Sequence, residues 1–130
     1  VKAREVEGLD PDGPLRPNVT RIVATRLGEL RSFADSALVP EASEEQHDMR
    51  IAAKRLRYVL ELFGPCLGDE AEEARQVAKR LQSVLGDLHD CDLMLGKVEG
   101  IGSVESVLRE RRGRLYREFV ELWQSQEVHL

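Results

Sequence analysis

Aromatic residues make up only 5% of this 130-residue chain. A core with so few rings must be built from leucine, valine, alanine and isoleucine, which favours packed helices over a β-sandwich. Cysteine is scarcer still. Cys66 and Cys91 form no framework by number or spacing and read as free thiols, buried or half-buried. No apolar run approaches the length of a bilayer span, and the first residues hold no signal-peptide apolar stretch. The chain is therefore expected to be soluble and cytoplasmic, with no membrane partner. Positive charge is not in excess either: 19 Lys and Arg stand against 24 Asp and Glu, a net charge of −5. A duplex-binding protein of this size is usually basic overall, so nucleic acid is not expected as a partner, while a focused basic patch stays open. There is no Walker loop, no Gly-x-Ser-x-Gly and no plausible triad, and no catalytic residue is assigned.

What is present is helical patterning over one domain's length. Residues 1–16 end in Asp10-Pro11-Asp12-Gly13-Pro14 and read as a turn-rich lead-in to a unit spanning 17–130. A first helix is expected from about Asn18 to Val39, between Pro17 and Pro40, with Arg26 intruding on its apolar stripe. A second starts near Glu44, where Ser43 and Gln46 suggest a capping box, and stops at Phe63 before Gly64-Pro65. A third starts near Asp69, with Glu72 completing a second such box, and runs to about Val98. Asp92 intrudes on its stripe, and an Arg26–Asp92 pair across the core is expected. Ser103 caps a fourth helix, from about Val104 to Gln124, striped by Val104, Val107, Leu108, Leu115, Phe119, Leu122 and Trp123, with Arg111 turned inward. Four helices with short connections make an all-α, four-helix up-down bundle.

The second helix carries a second pattern. Met49, Ala52, Ala53, Leu56, Val59, Leu60 and Phe63 share an apolar arc of about 120°. His47, Arg50, Lys54 and Arg57 occupy an adjacent arc of about 80°. From Met49 to Leu60 there are four basic residues and no acidic one, where a merely solvated face would alternate signs to form i,i+4 pairs. Concentrated charge of this kind marks an anion site. Arg75, Lys79, Gln82, Gly86 and His89 flank the stripe of the third helix, and would extend a basic surface if the two helices are neighbours. Three functions compete: a platform for a polyanion, a helical interaction module meeting an acidic partner protein, and a metal-dependent phosphohydrolase using His47-Asp48, His89-Asp90 and Asp92. The third is the weakest, because no His-x-x-x-His or Glu-x-x-His pair fixes two ligands on one face. No metal and no cofactor are assigned.

The run from His47 to Tyr58, His-Asp-Met-Arg-Ile-Ala-Ala-Lys-Arg-Leu-Arg-Tyr, resembles the signature of the CHAD family, the conserved histidine α-helical domain. Leu85-Gly86-Asp87-Leu88-His89-Asp90-Cys91-Asp92 resembles a second motif of that family, and Arg21-Ile22 with Arg26-Leu27-Gly28-Glu29-Leu30 resembles its opening helix. The resemblance implies a non-catalytic domain that binds inorganic polyphosphate. It implies further a place at polyphosphate granules, and CYTH-type triphosphatases as associates. By motif position the ligand residues it implies are His47, Arg50, Lys54 and Arg57, then Lys79 and His89, and then Arg21 and Arg26. Members of the family have two four-helix halves about a basic cleft. This chain carries helices for one half, so a homodimer is expected to complete the cleft.

Overall fold

The computed structural model describes residues 1–126, so the last four residues of the expected 17–130 unit lie outside it. Four helices follow one another: α1 (Leu15–Ala37), α2 (Ser43–Phe63), α3 (Asp69–Lys97) and α4 (Gly102–Gln126), with one 3-10 turn at Gly64–Cys66. Each packs mainly on its neighbour in sequence, α1 on α2, α2 on α3 and α3 on α4. The contacts run antiparallel: Gln46 meets Ala37, Arg57 meets Gln82, and Arg112 meets Asp92. This is an up-down four-helix bundle. No helix among the described residues is long and apolar enough to cross a membrane.

The 3.6-residue stripes become the core. Leu30, Ala34 and Ala37 of α1 and Met49, Ala52, Ala53, Leu56 and Leu60 of α2 are buried. They meet Val77, Ala78, Leu81, Leu85 and Leu88 of α3 and Leu115, Phe119 and Trp123 of α4. Each fully buried Leu or Phe contributes about 1.5–3 kcal/mol. The small alanines on α2 let its neighbours approach closely. Val104 and Val107, expected in the stripe of α4, are exposed. It is Arg112, well inside α4, that reaches Pro40 in the α1–α2 connection. The first turns of α4 therefore extend past that connection and have no α1 or α2 to pack against.

The ends of the helices differ from expectation in three places. Helix α1 starts at Leu15 and admits Pro17 in its first turn, where the missing N–H would have no partner anyway. Neither expected capping box forms. Ala42 and Gly68 hold the cap positions of α2 and α3, without side-chain cap bonds. Gly68 turns there with φ +87°, a conformation that favours glycine. Gln46 is buried and reaches away from its own helix, donating from Nε2 to the carbonyls of Ala37 (3.2 Å) and Val39 (3.0 Å). It thus closes the carbonyl end of α1, which would otherwise lack donor partners. Glu72 turns to Arg75 instead (2.7 Å), which pulls the carboxyl down to about 2.

The Arg26–Asp92 pair does not exist. Arg26 pairs with Glu29 one turn along α1 (2.5 Å), and Asp92 pairs with Arg112 of α4 (2.5 Å). Arg112, and not Arg111, is the inward-facing arginine of α4. Besides Asp92 it donates to Pro40 O, to Ser43 Oγ and to Gln46 Oε1 (2.7 Å).

The lead-in is docked on the seam between α1 and α2. The Arg4 N–H donates to Glu29 Oε2 (2.9 Å), the Arg4 carbonyl accepts from Arg26, and the Val1 carbonyl accepts from Arg55. Glu29, 2% exposed, sits between Arg26 and Arg55. Burial alone would raise its pKa. The Arg4 N–H, Arg26 and Arg55 together outweigh burial and leave it below the ordinary value of 4.5. A carboxyl lowered on folding stabilises the fold above its unfolded pKa, and that contribution is lost as pH falls through the lowered, folded value. Glu29→Gln is expected to cost about 2 kcal/mol at neutral pH and to flatten the acid limb of the stability curve. Urea melts between pH 7 and pH 3 check this, and an unchanged acid limb would contradict it.

Candidate functional site

The seam between α2 and α3 gathers the candidate residues into one place. At its upper end His47 of α2 and His89 of α3 stack face to face, ring centroids 4.0 Å apart and planes 19° from parallel. His47 Nδ1 is buried and has no hydrogen-bond partner among the described residues. Burial lowers the pKa of His47, and His89 and Arg50 lower it further. One turn along α2, Arg50 lies across α3 where Gly86 leaves room. A Cβ built at Gly86 would stand 3.4 Å from Arg50 Nε. Lys54 follows on the same face, half-buried. Neither Arg50 nor Lys54 makes an ion pair among the described residues.

Further down the seam the charge is answered internally. Arg57 donates from Nε to Glu61 (2.9 Å) and from Nη1 to Gln82 Oε1 (2.8 Å). Its guanidinium also lies 5.4 Å from the Tyr58 ring centroid. Arg75 is held by Glu72 and Glu61. Lys79 is exposed on α3 and lines an open groove of about 430 Å³ with Arg75, Gln76, Arg80 and Ser83. The seam is therefore graded, with unpaired cations and imidazoles at one end and neutralised arginines at the other.

Arg21 and Arg26 lie elsewhere. Both face the docked lead-in: Arg26 at Arg4, and Arg21 beside Gly8, whose added Cβ would stand 2.6 Å from Arg21 Nη1. The fourth basic residue of the α2 run, Arg55, also turns to that side, toward Glu29. The run of four basic residues thus serves two seams. The wheel position of Arg55, well apart from Arg50 and Arg57, carries that signal. Among the described residues no group of three or more His, Cys, Asp or Glu is placed to hold a metal ion. Neither His47 nor His89 makes an ion pair with a carboxylate among the described residues.

A model of the CHAD domain matches residues 3–99. The chain belongs to the CHAD family. The match takes in the lead-in, α1, α2 and α3, so both flanks of the basic seam lie inside the CHAD region while α4 lies beyond it. No curated protein and no solved structure matches the chain.

The contact at Gly86 gives this CHAD domain a separable test. Gly86→Ala adds a methyl at ordinary contact distance from Arg50 and is expected to stabilise α3 by about 0.5–1 kcal/mol through helix propensity. Gly86→Leu has to move the guanidinium and is expected to weaken anion binding about tenfold, the worth of one charged hydrogen bond. Thermal melts and a phosphate-chain titration read the two effects. Equal affinity in the Leu variant would show that Arg50 needs no such seat.

Proposed function

We propose that this CHAD domain binds inorganic polyphosphate along the α2–α3 seam and holds it without cleaving it. The observation that carries the reading is the pairing state of the seam: among the described residues Arg50 and Lys54 make no ion pair with a carboxylate, and they stand beside the His47–His89 stack and remain partly open to solvent. Unpaired, half-desolvated cations are costly unless an anion arrives. Arg57, Lys79 and His89 would continue the track along α2 and α3. Arg21 and Arg26, on the far side of α2, would enter as a second surface. The cleft's other wall would be a second four-helix unit, supplied in a homodimer by another copy. In that setting the protein would sit in the cytoplasm, at polyphosphate granules or beside a CYTH-type triphosphatase.

A chain of phosphates is recognised by charge, so salt is the discriminating variable. With about four phosphate contacts, affinity is expected to fall roughly fiftyfold between 50 and 200 mM salt, by the rule for single-stranded polyanions. Titration of long-chain polyphosphate at the two salt concentrations tests this, and salt-independent binding or none would count against it.

A second reading, an acidic partner protein, is favoured by one feature. Tyr58 (52% exposed) and Leu62 (71% exposed) lie beside the strip on α2, and an apolar pair next to cations suits a protein surface better than a bare polyanion. Polyphosphate should displace such a partner if both use the strip.

A further inference from the structure

The His47–His89 stack is the one part of the seam whose charge is not fixed. Two positive charges on rings 4.0 Å apart would repel, and an anion beside them would relieve that repulsion. The charged groups facing the rings are Arg50 and Asp48 from α2, with the amino group of Val1 more remotely. Asp90 follows His89 on α3 at the surface. Of these, Arg50 opposes a proton on His47 and Asp48 favours it, the net effect with burial being opposition. Neither ring makes an ion pair with a carboxylate among the described residues. The buried Nδ1 of His47 faces no acceptor and no donor among the described residues.

We infer that the stacked His47–His89 pair is a proton-linked subsite, which takes up a proton as a phosphate chain settles on Arg50 and Lys54. This rests on the polyphosphate reading above and adds the regulation of that site. In the free protein, burial, His89 and Arg50 together oppose a proton on His47. A phosphate group beside Arg50 reverses the local sign of the field, and an imidazolium then gains a charge-assisted bond to a phosphate oxygen. The sign follows from linkage. A group whose pKa is higher in the complex than in the free protein makes binding tighter as pH falls, between those two pKa values and not outside them. One proton per site gives up to about tenfold tighter binding per pH unit inside that window. Phosphate termini titrating on the ligand would give the opposite sign, since a basic site favours their ionised form. Direction therefore separates the two sources.

The experiment is calorimetric titration of the whole chain with long-chain polyphosphate at pH 6 and pH 8, in pairs of buffers with different ionisation heats. The expected result is tighter binding at pH 6, by about tenfold or more, with net uptake of about one proton per site. His47→Gln and His89→Gln are expected to flatten the pH slope and lose the uptake. The imidazole signals of the unaltered protein, followed by NMR with and without ligand, give the same answer without any variant. Binding that is equally tight at both pH values, with no uptake, would overturn this inference and leave the polyphosphate reading standing. No binding at either pH would overturn both.

Discussion

Replacing Arg50 and Lys54 together by alanine is expected to weaken polyphosphate binding about a hundredfold while leaving the melting temperature within about 2 °C. The binding loss follows from two charged hydrogen bonds at about 1.5 kcal/mol each. The small thermal effect follows from what these side chains lack. Neither forms an ion pair among the described residues, and Arg50 rests on a glycine rather than filling a cavity. Substitutions of partly exposed residues without such partners usually change stability by less than about 0.5 kcal/mol. Arg57 makes a useful contrast. Its bond to Gln82 ties α2 to α3, and its bond to Glu61 holds it along α2, so Arg57→Ala should lose both binding and some stability. A double variant that melts far below the parent would show that the unpaired cations belong to the fold.

Arg112→Ala is expected to do the reverse, lowering stability by about 3 kcal/mol, or roughly 10 °C in melting temperature, with affinity per folded molecule retained. Arg112 joins three segments. It neutralises Asp92 on α3, caps the Pro40 carbonyl in the α1–α2 connection, and donates to Gln46, which in turn closes the end of α1. Removing it leaves a carboxylate and a buried amide oxygen short of donors, and each orphaned group costs about 1–3 kcal/mol. Arg111→Ala is the control. Its side chain is exposed, and its loss should cost under about 0.5 kcal/mol. Differential scanning calorimetry on the two variants decides. Equal melting temperatures for Arg111→Ala and Arg112→Ala would contradict this assignment.

Those two arginines also show what a linear reading can and cannot reach. Period places a residue on a face, and the faces were legible: Met49, Ala52, Ala53, Leu56 and Leu60, Val77, Ala78, Leu81, Leu85 and Leu88, and Leu115, Phe119 and Trp123 are buried as their spacing requires, while Val59 and Leu122 are half-buried at the edges. Arg112 lies between Leu108 and Leu115 on the inner arc, so its inward turn was available from spacing, as Arg111's was not. Partners are another matter. Arg26 and Asp92 each intrude on a stripe, and opposite signs suggested a bond between them. Glu29 and Arg112 were nearer, and only the relative slide of the helices says so. The capping boxes failed similarly. Gln46 had a local partner in Ser43, and a competing set of bare carbonyls at the end of α1 took it instead. On the seam, the presence of cations was legible from the run at 49–60. Which of them remain unpaired was not, because Glu61 and Glu72 reach Arg57 and Arg75 across turn and helix alike.

The polyphosphate reading requires that Arg50, Lys54 and the two imidazoles act as one anion-holding surface. Backbone amide and imidazole NMR shifts during a titration with tripolyphosphate test that most directly. The expected result is a single saturable set of changes centred on His47, Arg50, Lys54, Gly86 and His89, fading toward Glu61 and Arg75. Changes centred instead on Arg21, Arg26 and Arg55, or scattered over α4 without saturation, would contradict it.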